Sequence, residues 1–278
     1  MSVINTNVKS LISQNALSRN SRALSSAMEQ LSTGKRINSA KDDAAGLAIS
    51  NKMTSQIRGL DQAVRNANDA ISVAQTVEGA TIEITNMLQR MRELAVQSAN
   101  DSNSSADRAS LQKEVSQLTE EITRIATDTT FNDMSVLLGS ASTAGTSGVM
   151  TFQVGAGSDQ TIEMDLVSMT ASALDISGLS ISTQSGSNAA ITALDDAIVA
   201  VDDFRSDLGA KINRFTYAVD NLTNVSINTA ASRSRILDTD YAKASSELSR
   251  TQIIQQAATA ILAQANTDQQ SVMKLLQG

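Results

Sequence analysis

From Ile57 onward the apolar side chains return every three or four residues, through Leu60, Val64, Ala67, Ile71 and Ala74 and then, after one shift, through Val77, Ile84, Leu88, Met91 and Ala95. That spacing is a seven-residue repeat on one helix face. It predicts a single helix from the fifties to about residue 98, roughly 60 Å long at ~1.5 Å per residue. A chain that commits so much length to one rod needs other helices to cover its stripe. Leu111, Val115, Leu118, Ile122 and Ile125 make a second stripe, after the run Ala99-Asn-Asp-Ser-Asn-Ser-Ser-Ala106, whose short polar side chains compete with helix. A third runs through Ile191, Leu194, Ile198, Val201, Leu208, Ile212, Phe215, Val219 and Leu222, interrupted only by Arg205. Three such faces can close one bundle.

Both ends of the chain carry the same signal. Ile4 and Leu11 are seven apart, as are Leu17, Leu24 and Leu31; Tyr241 and Leu248 are seven apart, as are Ile254 and Ile261. Each end contains one six-residue step, Leu11 to Leu17 and Leu248 to Ile254, a comparable phase slip in two helices that reads as a mark of partners. An isolated amphipathic helix leaves its apolar face in water, so the termini are expected to pair with each other or with another molecule. Both are expected to be unordered in a lone subunit and helical once assembled.

Between about residues 139 and 187 glycine, serine and threonine replace this pattern. Met150, Phe152 and Val154, then Ile162, Met164 and Leu166, alternate with polar residues on either side of Gly155-Ala-Gly-Ser-Asp-Gln160, which predicts a half-buried β-hairpin. Leu179 and Ile181 are candidates for a third strand. The fold class is mainly α: a long antiparallel coiled-coil-like helical bundle with a small β-hairpin region and discontinuous domains. With four Phe, two Tyr and no Trp, its core must be built of Leu, Ile, Val, Met and Ala.

Composition removes most enzyme chemistry. The 278 residues contain no Cys, His, Trp or Pro, so disulfides, thiolate or imidazole metal sites, Ser-His-Asp triads and cysteine nucleophiles are all excluded. No catalytic, cofactor-binding or metal-binding residues are expected. The pairs Asp42-Asp43 and Asp195-Asp196 are read as carboxylates near helix starts, and Gly155-Ala-Gly-Ser as a turn and not a phosphate loop. The net charge is −7, yet residues 1–41 hold Lys9, Arg19, Arg22, Lys35, Arg36 and Lys41 against Glu29 alone. A coiled-coil interaction module whose basic N-terminal arm binds nucleic acid is therefore the alternative function, weakened by the absence of aromatic residues in that arm. No window approaches a membrane span, and the N-terminus lacks a secretory signal pattern.

Longer signatures go further. Met1-Ser-Val-Ile-Asn-Thr-Asn-Val8, the run from Leu31 to Ile49 (Leu-Ser-Thr-Gly-Lys-Arg-Ile-Asn-Ser-Ala-Lys-Asp-Asp-Ala-Ala-Gly-Leu-Ala-Ile), Leu88-Gln-Arg-Met-Arg-Glu-Leu-Ala-Val-Gln-Ser-Ala-Asn100, Ser232-Arg-Ser-Arg-Ile-Leu-Asp-Thr-Asp-Tyr-Ala242 and Leu262-Ala-Gln-Ala-Asn266 resemble the terminal signatures of bacterial flagellin in their order. The resemblance covers about 1–138 and 190–278, and also the hairpin at 150–166. It implies a structural subunit that polymerises into the extracellular flagellar filament and serves motility. Residues 1–42 with 236–278 would form the inner, filament-core domain and 43–235 the middle bundle, with the hairpin and loop region at 139–187. The assembly interface would use Ile4, Leu11, Leu17, Leu24, Leu31, Leu248, Ile254 and Ile261. Implied partners are further copies of the chain, the flagellar cap and hook-junction proteins, an export chaperone and the type III export apparatus, and no nucleic acid or membrane. Short length after the hairpin implies no large outer domain. The resemblance also carries Arg90, Leu94 and Glu114 over as contacts for vertebrate Toll-like receptor 5. Arg90 and Leu94 are expected on an exposed flank beside Leu88, Met91 and Ala95, and Glu114 beside Leu111, Val115 and Leu118.

Overall fold

The structure, a computed structural model, describes residues 6–139 and 148–277. The elements are α1 (Val8–Thr33), α2 (Ala44–Ala99), α3 (Ser105–Asp128), β1 (Thr130–Phe131), β2 (Met134–Ser135), β3 (Val149–Gln153), β4 (Thr161–Asp165), α4 (Gln184–Leu237) and α5 (Tyr241–Gln277). The chain divides into two compact units, Met1–Ser55 with Asn228–Gly278, and Gln56–Ile227.

In the 56–227 unit the α2 stripe has no shift. Leu60, Ala63, Ala67, Ala70, Ala74, Val77, Thr81, Ile84, Leu88, Met91, Ala95 and Ser98 are all buried, in unbroken steps of three and four. The apparent slip comes from counting large side chains alone, because Ala63, Ala70, Thr81 and Ser98 carry the seam where Leu or Ile is absent. The α4 stripe is continuous as well: Phe204 occupies the seam, three residues after Val201, and Arg205 lies beside it, 3.6 Å from Asp202. Helix α3 starts at a capping box, in which Ser104 Oγ accepts from the Asp107 N–H and the Asp107 carboxylate accepts from the Ser104 N–H. Its seam centres on Val115, Ile122 and Ala126, with Leu118 only half-buried at the margin.

The expected hairpin forms from β3 and β4, in antiparallel register with Met150 opposite Met164 and Phe152 opposite Ile162. The Val154 N–H donates to the Gln160 carbonyl at 2.8 Å to close it. Ile162, Met164 and Leu166 are buried, and Phe152 meets Phe215 edge-on with ring centroids 5.7 Å apart. No third strand forms at Leu179–Ile181. Three side chains answer that backbone instead: Gln112 accepts from the Ile181 N–H at 2.6 Å and donates to the Leu179 carbonyl at 3.1 Å, while Ser98 and Ser187 both donate to the Ile181 carbonyl. A small hairpin not foreseen joins β1 to β2 through Asn132 and Asp133, both at positive φ (50° and 63°), the two-residue turn whose twist suits paired strands.

In the other unit, α1 and α5 lie antiparallel. Asn7 caps α1 by accepting from the Ser10 N–H, and its Nδ2 donates to the Ala265 carbonyl at 3.0 Å. Asn20 Nδ2 donates to the Thr251 carbonyl at 2.7 Å. The seam of α1 runs through Ser10, Ser13, Leu17, Asn20, Leu24, Ala27 and Leu31, and that of α5 through Ala244, Leu248, Thr251, Gln255, Ala258, Leu262 and Ala265, all buried or half-buried. Neither contains the six-residue slip expected from the large apolar residues, since Leu11, Ile254 and Ile261 are not in the seams. Within the described residues α1 and α5 pair along these seams, where polar ties supplement a thin apolar contact.

A connector closes the pair. Gly34 caps α1 in the left-handed region (φ 70°) and donates to the Gln30 carbonyl. The Arg36 N–H donates to the Leu237 carbonyl at 2.7 Å, its guanidinium to the Ile236 carbonyl at 2.6 Å, and the Thr239 N–H to the Gly34 carbonyl at 3.0 Å. Asp43 then accepts from the Gly46 N–H in the first turn of α2, while Asp42 accepts from the Ser39 hydroxyl and from the Ser39 and Asn38 N–H groups, the Ser39 hydroxyl first among them in holding its carboxyl below the usual range.

Candidate assembly surface

The α1–α5 unit is apolar on the wrong side for a free-standing fold. Its fully buried hydrophobic residues are few and mostly small: Ala27, Ile37, Ala244 and Ala265 among the described residues. Several of its large ones face outward. Val8, Leu11, Ile12 and Met28 on α1, and Ile253, Ile254 and Ile261 on α5, are each at least 40% exposed. Covering one such side chain is worth about 1.5–3 kcal/mol, so the set is a strong drive toward association. A groove of about 370 Å³, lined by Lys9, Ile12, Ser13, Ile261, Gln264 and Ala265, lies on this pair.

The expected interface residues therefore fall into two groups. Leu17, Leu24, Leu31 and Leu248 are half-buried in the seam, whereas Leu11, Ile254 and Ile261 project outward. Ile4 lies outside the described residues. Val8, Ile12, Met28 and Ile253 are equally outward and were not among the expected residues. The adjacent pairs Leu11-Ile12 and Ile253-Ile254 were the available signal, because neighbouring residues on a helix cannot both enter one narrow seam.

On the other unit, Arg90 Nε donates to Glu114 at 2.9 Å and a second guanidinium nitrogen to Glu93 at 3.0 Å, and all three side chains are close to half-exposed or more. Glu114 first, then Glu93, raises the Arg90 pKa above its ordinary value. Arg90 and Glu114 thus share a face, as expected, but Leu94 does not. It is 1% exposed, packed in the main core. The buried doublets Val73-Ala74, Ile84-Thr85 and Leu94-Ala95 mark where neighbours cover a wider arc of α2 than a single seam. Asp195 is not at a helix start, since α4 begins at Gln184; it receives two hydrogen bonds from Arg92, the shorter 2.5 Å, which lower its pKa.

Among the described residues no cluster of acidic side chains could hold a metal ion, and no helix is long and apolar enough to cross a membrane. Arg36, counted in the basic arm, is engaged with the Ile236 carbonyl.

Residues 4–142 match the profile of the bacterial flagellin N-terminal helical region, and 191–276 that of the bacterial flagellin C-terminal helical region. The chain is 46% identical over 276 residues to a flagellin of Halalkalibacterium halodurans and 44% identical over 316 to one of Xenorhabdus nematophila, in each case covering 99% of both chains. Polar flagellin F of Vibrio parahaemolyticus is 35% identical over 378 residues, covering 98% of this chain and 99% of its own length. Among solved structures, Bacillus cereus flagellin aligns with a TM-score of 0.50 and 33% identity over 61% of this chain and 94% of that one. A putative flagellar hook-associated protein from Vibrio parahaemolyticus shares the fold, with a TM-score of 0.58 at 15% identity over 71% of this chain and all of that one.

Proposed function

We propose, for a chain that belongs to the bacterial flagellin family, that the outward apolar residues of the α1–α5 pair are the surface through which its copies join. The protein is a structural subunit and not an enzyme: it polymerises with copies of itself into the extracellular flagellar filament. The observation that supports the finer reading is the inversion of the terminal pair, with Ser10, Asn20 and Thr251 buried and Leu11, Ile254 and Ile261 exposed. A surface arranged this way gains from being covered along its length, as a filament wall built of 1–42 with 236–278 would cover it.

The same reading extends to the other partners. An export chaperone and the type III apparatus would meet the terminal helices before assembly, and the cap and hook-junction proteins would meet them at the ends of the filament. The exposed Arg90–Glu114 face is the proposed contact for Toll-like receptor 5, with Leu94 supporting it from beneath.

Filament growth from seeds, followed by electron microscopy, tests the assembly surface. The triple variant Leu11→Ser, Ile254→Ser, Ile261→Ser should keep wild-type helicity and lose filament growth; wild-type filaments from it would overturn the assignment. For the receptor face, Arg90→Ala and Glu114→Ala should weaken binding by monomer without lowering its melting temperature, whereas Leu94→Ala should lower the melting temperature. Full affinity in both surface variants would remove the contact.

A further inference from the structure

The β3–β4 ribbon has two edges, and the helices beside it meet both. The Val154 N–H donates to the Gln160 carbonyl and the Leu166 N–H to the Gly148 carbonyl, so the pairs that exchange hydrogen bonds fall at every second residue between them, Phe152 with Ile162 and Met150 with Met164. The backbone of Val149, Thr151 and Gln153 on β3, and of Thr161, Glu163 and Asp165 on β4, therefore points away from the ribbon. One outward carbonyl on each edge is taken by a helix side chain. Asn66 Nδ2 of α2 donates to the Gln153 carbonyl at 3.0 Å, and Lys211 Nζ of α4 donates to the Glu163 carbonyl at 2.7 Å.

The two edges are unequally guarded. An open strand edge is a template for a further strand from another chain, and charged side chains are a common deterrent. On β4, Glu163 and Asp165 are exposed, so a second β4 laid alongside would bring like charges together. The other strand has no such protection. Residues 149–154 read Val-Met-Thr-Phe-Gln-Val, six residues without a charge or a proline, a composition that favours strand stacking. Thr151, in the middle of them, is exposed, and among the described residues no group bonds its outward backbone. The side chain that stands against this edge is Asn66.

We propose that the outward edge of β3 is a self-association surface for β3 of a second copy, and that Asn66 keeps it closed, as Lys211 with Glu163 and Asp165 keeps the edge of β4 closed. Asn66 occupies the Gln153 carbonyl, an acceptor that an added strand needs, and holds its own bulk in that strand's path. The inference concerns the 56–227 unit and goes beyond the filament reading, because the association it describes is made by strands and needs neither terminal helix.

Full-length monomer kept without filament seeds tests it, with strand-rich association followed by a cross-β dye and the amide I band. Asn66→Ala should raise the rate roughly tenfold or more at unchanged melting temperature, and Lys211→Met should raise it less, because the two carboxylates remain. Two further variants test the edge itself. The Thr151 N–H points outward, so Thr151→Pro removes an outward donor and no bond of the ribbon, and Thr151→Lys adds a charge at an exposed position. Either change, added to Asn66→Ala, should return the rate to the wild-type level. A wild-type rate in Asn66→Ala overturns the proposal, as does acceleration that persists with both Thr151 changes. Acceleration found only where the melting temperature has fallen overturns it equally, since the association would then come from unfolded chains.

Discussion

Ile122 is fully buried in the bundle of the 56–227 unit and Leu118 sits half-exposed at its margin, so truncating them should have unequal effects. Ile122→Ala is expected to cost about 2–5 kcal/mol and Leu118→Ala about 1–2, because only the first leaves an enclosed cavity. Urea unfolding of the two variants checks this, and equal losses would mean the margin is closed. A second residue-scale expectation concerns acid. The Arg92 guanidinium holds the Asp195 carboxyl below the usual carboxylate range, so its ionised form is favoured in the folded state. That contribution is present above the unfolded carboxyl's pKa of about 3.9 and is lost as pH falls through the lower folded value. Melting temperatures of wild type and Asp195→Asn, followed from neutral pH down to about 2, should therefore converge in acid; parallel curves would show that the bridge contributes nothing. Asp195 was readable as an acidic residue but not as the partner of Arg92, because the two are far apart in sequence and meet only when α2 and α4 pack.

At the scale of elements, one reading error recurs: seams traced through Leu, Ile and Val break where Ala, Ser, Thr or Asn takes a turn at the interface. Ala63, Thr81 and Ser98 in α2, and Asn20 and Thr251 in the terminal pair, restore the repeat. The helices themselves, the β3–β4 hairpin and the turn before α3 were all readable, since periodicity, alternation and local side-chain competition act within a few residues. Leu179–Ile181 was misread because its partners, Gln112, Ser98 and Ser187, come from three different helices. The α1 cap offers a test at this scale. Gly34 has φ 70° and an added Cβ would sit 2.8 Å from the Tyr241 hydroxyl, so Gly34→Ala is expected to cost about 1–2 kcal/mol. Hydrogen exchange should quicken around the end of α1 and the start of α5; unchanged protection there would contradict it.

Across the whole molecule, a chain of 278 residues without Pro or Cys has neither prolyl isomerisation, which takes ~10–100 s at 25 °C, nor disulfide exchange to slow its folding. Refolding from urea, read by helicity, should be complete without a phase on that timescale and be indifferent to reductant; a slow phase of tens of seconds would point instead to mispaired helices. Removing residues 240–278 should abolish filament growth while leaving the unfolding transition of the 56–227 unit in place, because that unit has its own core in Leu88, Met91, Ile122 and Leu194. Sequence alone determined the helical class, the β3–β4 hairpin, the lack of any thiolate or imidazole ligand and the family, since these rest on residue type and short-range spacing. Tertiary structure alone decided which side chains are inside. Leu94 is buried and Ile254 exposed although both stand at helical spacing from other large apolar residues. Burial depends on how many neighbours cover a helix face, and those neighbours come from distant parts of the chain, so a small residue can fill a seam while a large one is left exposed.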